Sequence, residues 1–295
     1  MIRSLDSRPR RLTLLIAGVL ALAVAVALLV RGESSSARGV NWEAPPGNAK
    51  FDYQIGGDYK LPRGVRVVSR DWFSGEAAAD PVYSVCYVNG FQTQANEPGT
   101  DRPDELSNWP RDLVLKKLGD DPKWGGEYLV DIRSAAKREA AAEWLRPMIE
   151  GCADDAGSGS FEGVEFDNLD SWTRFNGTPL AKKVPFGKRE ALDFAKRLTA
   201  IAHENGLASA QKNTSDVSRA QSEQVGFDFA VSEECGRYRE CNAYQKVYGD
   251  EVVAIEYRRK DFRKACRAAG KDIAITLRDR NVSRPGGRKY VYDAC

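Results

Sequence analysis

Nine short apolar runs recur along the chain with longer polar, Ala-rich or charged segments between them, and that alternation limits the fold more than any other feature. The runs are FDYQIG (51–56), VRVVS (65–69), YSVCYVNG (83–90), EYLVDI (127–132), EGVEFD (162–167), LASAQK (207–212), DFAVSE (228–233), EVVAIEY (251–257) and DIAITL (272–277). Most are nearly continuous in Val, Ile, Phe, Tyr or Ala, the pattern of strands covered on both faces. Two of the intervening segments read plainly as helices, AAKREAAAEWLRPMI and KREALDFAKRLTAIAHENG. The second sets Ala191, Phe194, Ala195, Leu198, Ile201 and Ala202 on one face, with Gly206 placed to stop it. Repeated strand-then-helix order implies parallel strands joined by right-handed crossovers. The expected fold class is therefore α/β, and its closed solution is a (β/α)8 barrel of TIM type, commonly about 250 residues. Nine runs are one too many, so the first or the last is expected as an extra strand outside the barrel.

The N-terminus is expected to stand apart from that barrel. Arg3, Arg8, Arg10 and Arg11 precede an apolar run from Leu12 to Val30 broken only by Thr13. A basic start before a charge-free run reads as a signal sequence or an N-terminal membrane anchor over residues 1–31, expected as an apolar helix. The basic flank would stay in the cytoplasm and the remainder would lie outside the cell. Residues 32–48 are rich in Ser, Gly and Pro and read as a flexible linker, leaving 49–295 as one barrel domain. The first 40 residues hold six Arg and two acids of a chain with 44 basic and 42 acidic residues, so 38 and 40 follow. The whole-chain basic bias thus belongs to the leader and gives no argument for nucleic-acid binding.

Six cysteines suit an oxidising compartment. Cys235 and Cys241 form the one local pair, and Gly236 between them permits a bend. A Cys266–Cys295 bridge would fasten the C-terminus, while Cys86 is left either to Cys152 or as a buried free thiol. Paired short cysteine spacings are missing and His203 is the only histidine, which argues against zinc; nothing else calls for a metal or cofactor. His203 sits on a helix before a strand, far from the strand ends where such barrels do chemistry, and reads as structural. Asn176, Asn213 and Asn281 stand in Asn-x-Ser/Thr sequons that matter only in a glycosylating host. The basic stretch RDRNVSRPGGRKY reads as a solvated tail.

Active sites of such barrels form where strands end and the following loops begin. Five successive ends carry charge: Asp131 and Arg133; Glu165, Asp167, Asn168 and Asp170; Lys212 and Asn213; Glu233 and Glu234; Glu256 and Tyr257. Carboxylates without a histidine, a serine nucleophile or a metal point to glycoside hydrolysis, in which one acid protonates the leaving oxygen and the other attacks the anomeric carbon or activates water. Trp72, Tyr87, Trp124, Trp172 and Tyr257 are candidate sugar-stacking surfaces. A carbohydrate-binding barrel without turnover is the alternative from a different class.

The segments VCYVNG, WGGEYLVDIR, GVEFDNLDSW, AHENGL with QKN, and SEECGRYREC leading into VVAIEY resemble glycoside hydrolase family 114 in order and spacing, from about Phe51 to Tyr257. That family comprises endo-α-1,4-polygalactosaminidase-like barrels. The resemblance implies Asp167 and Glu233 as the catalytic pair. It carries Asp131, Arg133, Asn168, Asp170, Lys212, Asn213, Glu234, Glu256 and Tyr257 over as substrate-binding positions. Phe166 replaces a family Pro, Ser232 and Glu234 replace two amide side chains beside Glu233, and the region of Ser69, Arg70 and Asp71 matches the family's second-strand Asp poorly. The implied partner is an amino-sugar polysaccharide cleaved internally, or another polysaccharide given those departures. Asp131, Glu165, Asp170, Glu234 and Glu256 would then attract a cationic chain, unless they pair with Arg133, Lys212 or Arg237.

Overall fold

The computed structural model describes residues 41–73, 76–94, 108–154 and 160–295; the expected apolar helix and most of the expected linker lie outside them. Eight parallel strands follow one another around the sheet: β1 (Phe51–Tyr53), β2 (Val67–Asp71), β3 (Tyr83–Val88), β4 (Gly163–Phe166), β5 (Ala208–Lys212), β6 (Phe229–Glu233), β7 (Val252–Glu256) and β8 (Ala274–Arg278). The principal crossover helices are α1 (Ala135–Ala153), α2 (Lys188–Glu204), α3 (Arg219–Val225), α4 (Cys235–Tyr238), α5 (Cys241–Tyr248) and α6 (Arg259–Ala269). A ninth strand, β9 (Tyr292–Ala294), pairs antiparallel with β8 through Thr276↔Ala294, Leu277↔Asp293 and Arg278↔Tyr292. The barrel is thus nearly closed. Between β8 and β1 side chains bridge the seam: the Thr276 hydroxyl donates to the Phe51 carbonyl at 2.6 Å, and Arg278 Nη1 lies 2.9 Å from Asp52 Oδ1.

Eight of the nine expected runs form the barrel, and the surplus run is neither the first nor the last. It is 127–132. β3 pairs directly with β4, from Val85↔Gly163 to Val88↔Phe166, so no place remains for a strand between them. Leu129 and Val130 instead make isolated antiparallel bridges to Gln92 and Val114. With Ile132 they pack into the layer outside the sheet. An apolar run is satisfied by any dry surface that also accepts its backbone hydrogen bonds, and the β3–α1 connection supplies one. The extra strand is β9, three residues just beyond the expected basic tail.

Alternation along each strand divides the core in two. Phe51, Val67, Val85, Ala210, Val231 and Ile255 fill the barrel. Val88, Val164, Phe166, Ala254 and Ile275 face outward and meet Leu145, Ile149, Phe194, Leu198 and Phe262 from the helices. Helix α2 buries the expected stripe, from Ala191 to Ala202. Glu190 accepts the Gly187 amide at 2.9 Å, and Gly206 ends the turn at φ 76°.

Three disulfides tie the helical layer: Cys86–Cys152, Cys235–Cys241 and Cys266–Cys295. Gly236, expected to permit the bend between Cys235 and Cys241, does so from within a helical turn. It lies inside α4, where an added Cβ would come within 2.6 Å of Ala265 Cβ and 2.9 Å of Glu256 Oε1. Space, not φ, demands the glycine there. At the face opposite the strand ends, Trp42 stacks on His203 at 3.7 Å, and both hydrogen-bond Asp228. His203 is structural in this sense.

Candidate active site

Strand parity selects which side chains meet in the barrel mouth. Tyr53, Lys212 and Glu233 close β1, β5 and β6, while Asp167 and Tyr257 are the first residues beyond β4 and β7. Lys212 stands at the centre and is fully buried. Its Nζ lies 3.0 Å from Glu165 Oε2, 3.5 Å from Asp167 Oδ1, 4.0 Å from Glu233 Oε2, and 2.8 Å from the Tyr53 hydroxyl. Burial alone would strip its proton, but Asp167, Glu165 and Glu233 outweigh burial and hold the ammonium charged. Glu165 also accepts from the Ser69 hydroxyl at 2.5 Å.

The two expected catalytic acids sit in different settings. Asp167 accepts from the Tyr87 hydroxyl at 2.8 Å and from the Asn168 amide at 2.7 Å. Burial opposes its ionisation, yet Lys212, Arg174, Tyr87 and that amide prevail and hold the carboxyl below the ordinary Asp range. Glu233 accepts from Asn213 Nδ2 at 3.1 Å and from the Tyr257 hydroxyl, while its own amide donates to Asn213 Oδ1 at 2.7 Å. Burial keeps the hydroxyls of Tyr53, Tyr87 and Tyr257 protonated, so each remains a donor.

Each of β4, β5 and β6 hands its polar side chain to the mouth and then turns away through the left-handed region. Asn168, Asn213 and Glu234 have φ of 67°, 52° and 57°. Asn adopts that region readily; for Glu it costs on the order of 1–3 kcal/mol and must be held by its surroundings. Glu234 is held. It accepts from Arg237 at 2.8 Å and Arg280 at 3.0 Å, and its amide donates to the Ile255 carbonyl at 2.7 Å.

The remaining expected site residues are placed unevenly. Asn168 joins the mouth, donating to Asn89 Oδ1 at 2.8 Å and accepting from Arg174. Asp170 lies 3.4 Å from the same Arg174. Asp131 and Arg133 pair with each other at 2.7 Å in the β3–α1 connection, with no bond to the central cluster among the described residues. Glu256 is turned out of the barrel, the reverse of its expected direction. Alternation along β7 sends it outward with Val252 and Ala254, and its Oε1 accepts the Gly236 amide at 2.6 Å under α4. The rim is accordingly not a free acidic field: Asp131, Glu165, Asp170 and Glu234 each have a cation beside them. Among the aromatics, Tyr87 and Tyr257 act through their hydroxyls, Trp124 is 42 % exposed, and Trp72 and Trp172 pack on the outer core.

One acid near the pair is absent from the sequence reading because it lies in the run assigned to a strand. Glu127 Oε2 accepts from Asn89 Nδ2 at 3.2 Å. Burial and then the charge of Asp167 push its carboxyl up to about 8. Arg174 was equally unmarked, and only the fold brings it to Asn168 and Asp170. Among the described residues the grouping of potential metal ligands is Cys235, Cys241 and Glu256, whose two sulfurs are joined in a disulfide and offer no thiolate.

A parallel barrel with carboxylates, amides and tyrosines converging on its C-terminal mouth is the build of a glycoside hydrolase. Comparison with known families agrees. The sequence profile of glycoside-hydrolase family GH114 matches residues 32–295, and the chain belongs to that family. Among solved structures it is similar to Ega3 of Aspergillus fumigatus in complex with galactosamine, at TM-score 0.65 and 18 % identity over 85 % of this chain and 97 % of that one. The glycoside hydrolase domain of PgaB (BpsB) from Bordetella bronchiseptica aligns over 79 % of this chain and 94 % of that one, at TM-score 0.37 and 9 % identity. No curated protein matches the sequence.

Proposed function

We propose that this glycoside hydrolase cleaves an α-1,4-linked, galactosamine-containing polysaccharide at internal bonds, with Asp167 as nucleophile and Glu233 as acid/base. The observation that carries the reading is the Lys212 ammonium, within 4.0 Å of a carboxylate oxygen from each. Two oxygens at 3.5 and 4.0 Å from one nitrogen are no farther apart than the sum of those distances. That bound on the two facing oxygens accommodates the roughly 5–5.5 Å of retaining enzymes, which supports the double-displacement reading. Asp167, held ionised, suits attack on the anomeric carbon. As that bond forms, the glycosidic C–O bond breaks and Glu233 gives its proton to the departing oxygen. Glu233 then takes a proton from water, whose oxygen bonds the anomeric carbon as Asp167 leaves. Tyr257 and Asn213 fix the Glu233 carboxyl, and Lys212 offsets the negative charge between the two acids.

Family membership and the galactosamine bound to Ega3 support the substrate class. Three disulfides and the basic-apolar N-terminus support an extracellular enzyme, secreted or tethered to the outer face of the cytoplasmic membrane, with membrane contact only through that N-terminal segment. The test is product release from a panel of polysaccharides that includes partly deacetylated galactosaminogalactan. Asp167→Asn and Glu233→Gln should each lower kcat by at least about 10³-fold with little change in thermal midpoint. The first sugar signal to appear by NMR should retain the α configuration. Activity above about a tenth of the original in either variant would sink the assignment of that residue.

A further inference from the structure

Four of the acids expected at the rim are ion-paired, and among the described residues Glu127 is not. Asp131 is paired with Arg133, Glu165 with Lys212, Asp170 with Arg174, and Glu234 with Arg237 and Arg280. Glu127 forms no ion pair among the described residues, and its one side-chain hydrogen bond comes from the neutral Asn89. The residue as a whole is half-buried. The charge of Asp167 raises the Glu127 carboxyl, and the charge of Glu127 raises the Tyr87 hydroxyl. The groups facing it are Asp167 from the end of β4, Tyr87 from β3, Asn89 just beyond β3, and Asp121 and Arg174 from the loops on either side. Asn89 links it onward, since Asn89 accepts from Asn168, the residue after the nucleophile.

A half-buried carboxyl with no ion pair among the described residues, joined through Asn89 to the residue that follows Asp167, is an electrostatic position open to positive charge from outside. In the free protein the proton itself fills that role. A ligand ammonium placed there would replace the proton and form a charge-assisted pair in a site already partly dry. We propose that Glu127 recognises the 2-ammonium group of a galactosaminyl unit and so sets the preference for de-N-acetylated over N-acetylated chain. An acetamide at the same place has no charge to offer, and its methyl would meet a carboxyl that keeps its proton.

This inference rests on the amino-sugar hydrolase reading above, and the test separates the two. Steady-state hydrolysis is measured on a fully de-N-acetylated galactosamine oligosaccharide and on its N-acetylated counterpart, for the unaltered enzyme, Glu127→Gln and Glu127→Asp. Glu127→Gln should raise KM on the de-N-acetylated oligosaccharide by about tenfold or more and leave kcat within about threefold. The preference between substrates should collapse by the same factor. Glu127→Asp should recover part of the loss, which a merely structural role would not predict. Titration calorimetry with galactosamine at about pH 6, in buffers of different ionisation enthalpy, should show close to one proton released by the unaltered protein and none by Glu127→Gln. An unchanged KM and proton count in Glu127→Gln, with the unaltered enzyme active, overturns the role of Glu127 and leaves the hydrolase reading standing. No turnover of either oligosaccharide by the unaltered enzyme overturns both.

Discussion

Among the described residues two cation–carboxylate pairs are fully buried in the barrel, and they do opposite things. At the β8–β1 seam, Arg278 meets Asp52 at 2.9 Å; in the mouth, Lys212 meets Glu165 at 3.0 Å. The seam pair is complete. Arg278 also donates to the Val291 and Ser283 carbonyls, and Asp52 also accepts from the Tyr53 amide, Gln54 and Tyr59. One charge meets one charge and the remaining groups are satisfied. The mouth pair is incomplete by design of its neighbours, because a single ammonium faces Glu165, Asp167 and Glu233, and the latter two reach solvent. A balanced buried network holds a fold together, whereas an unbalanced one stores reactivity. Burial of charge alone does not tell the two apart; the count of partners does.

The comparison can be broken by removing each cation. Lys212→Met should reduce turnover by at least about 10³-fold, since it frees Asp167 from the charge that keeps it ionised. Its stability cost should stay near about 1–3 kcal/mol, because Glu165, already pushed up by burial, can take a proton in its place. Arg278→Met should do the reverse. It leaves Asp52 buried without its cation and unties the seam, costing about 3–5 kcal/mol in denaturant unfolding, with kcat of the folded fraction within about threefold. Equal stability losses in the two variants would erase the distinction.

A third buried acid sharpens it. Among the described residues Glu256 has no ion pair and its Oε2 no hydrogen-bond partner, it faces away from the mouth, and burial pushes its carboxyl up to about 7. The folded state therefore holds this proton more tightly than the unfolded chain, where Glu titrates near about 4.3. Its contribution to stability is present below about pH 4.3 and is lost as pH rises through about 7. Glu256→Gln keeps an acceptor for the Gly236 amide and removes the titration. Its thermal midpoint should decline less between those pH values than that of the unaltered protein. Loss of hydrolysis in this variant would return Glu256 to the substrate.

Much of the molecule was legible in residue order. Eight strands, the stripe on α2 and the convergence of Asp167, Lys212, Asn213, Glu233 and Tyr257 follow from apolar runs and what lies at their ends. Three features did not. EYLVDI has the composition of a barrel strand, and composition is blind to whether the neighbour is a sheet or a loop. β9 is three residues that follow a basic stretch, too short to carry a periodicity. The Glu256–Tyr257 pair was read as a unit although adjacent residues on a strand point to opposite faces. Parity alone would have turned one of them away. Glu127 stayed hidden for the first of these reasons, because a residue assigned to the start of a strand is not examined as part of a mouth.

The excursion between β3 and α1 bears on how such an enzyme changes over time. The described residues of that connection, 89–94 and 108–134, contribute no strand to the barrel, yet they bring Asn89 and Glu127 to the neighbour of Asp167. Asp167, Lys212 and Glu233, the proposed working groups, stand at the ends of β4, β5 and β6. Inheritance can therefore treat the two as separate traits. A single continuous stretch of sequence can be lengthened, shortened or exchanged, and the diet of the enzyme rewritten, while the bond-breaking apparatus passes down unaltered.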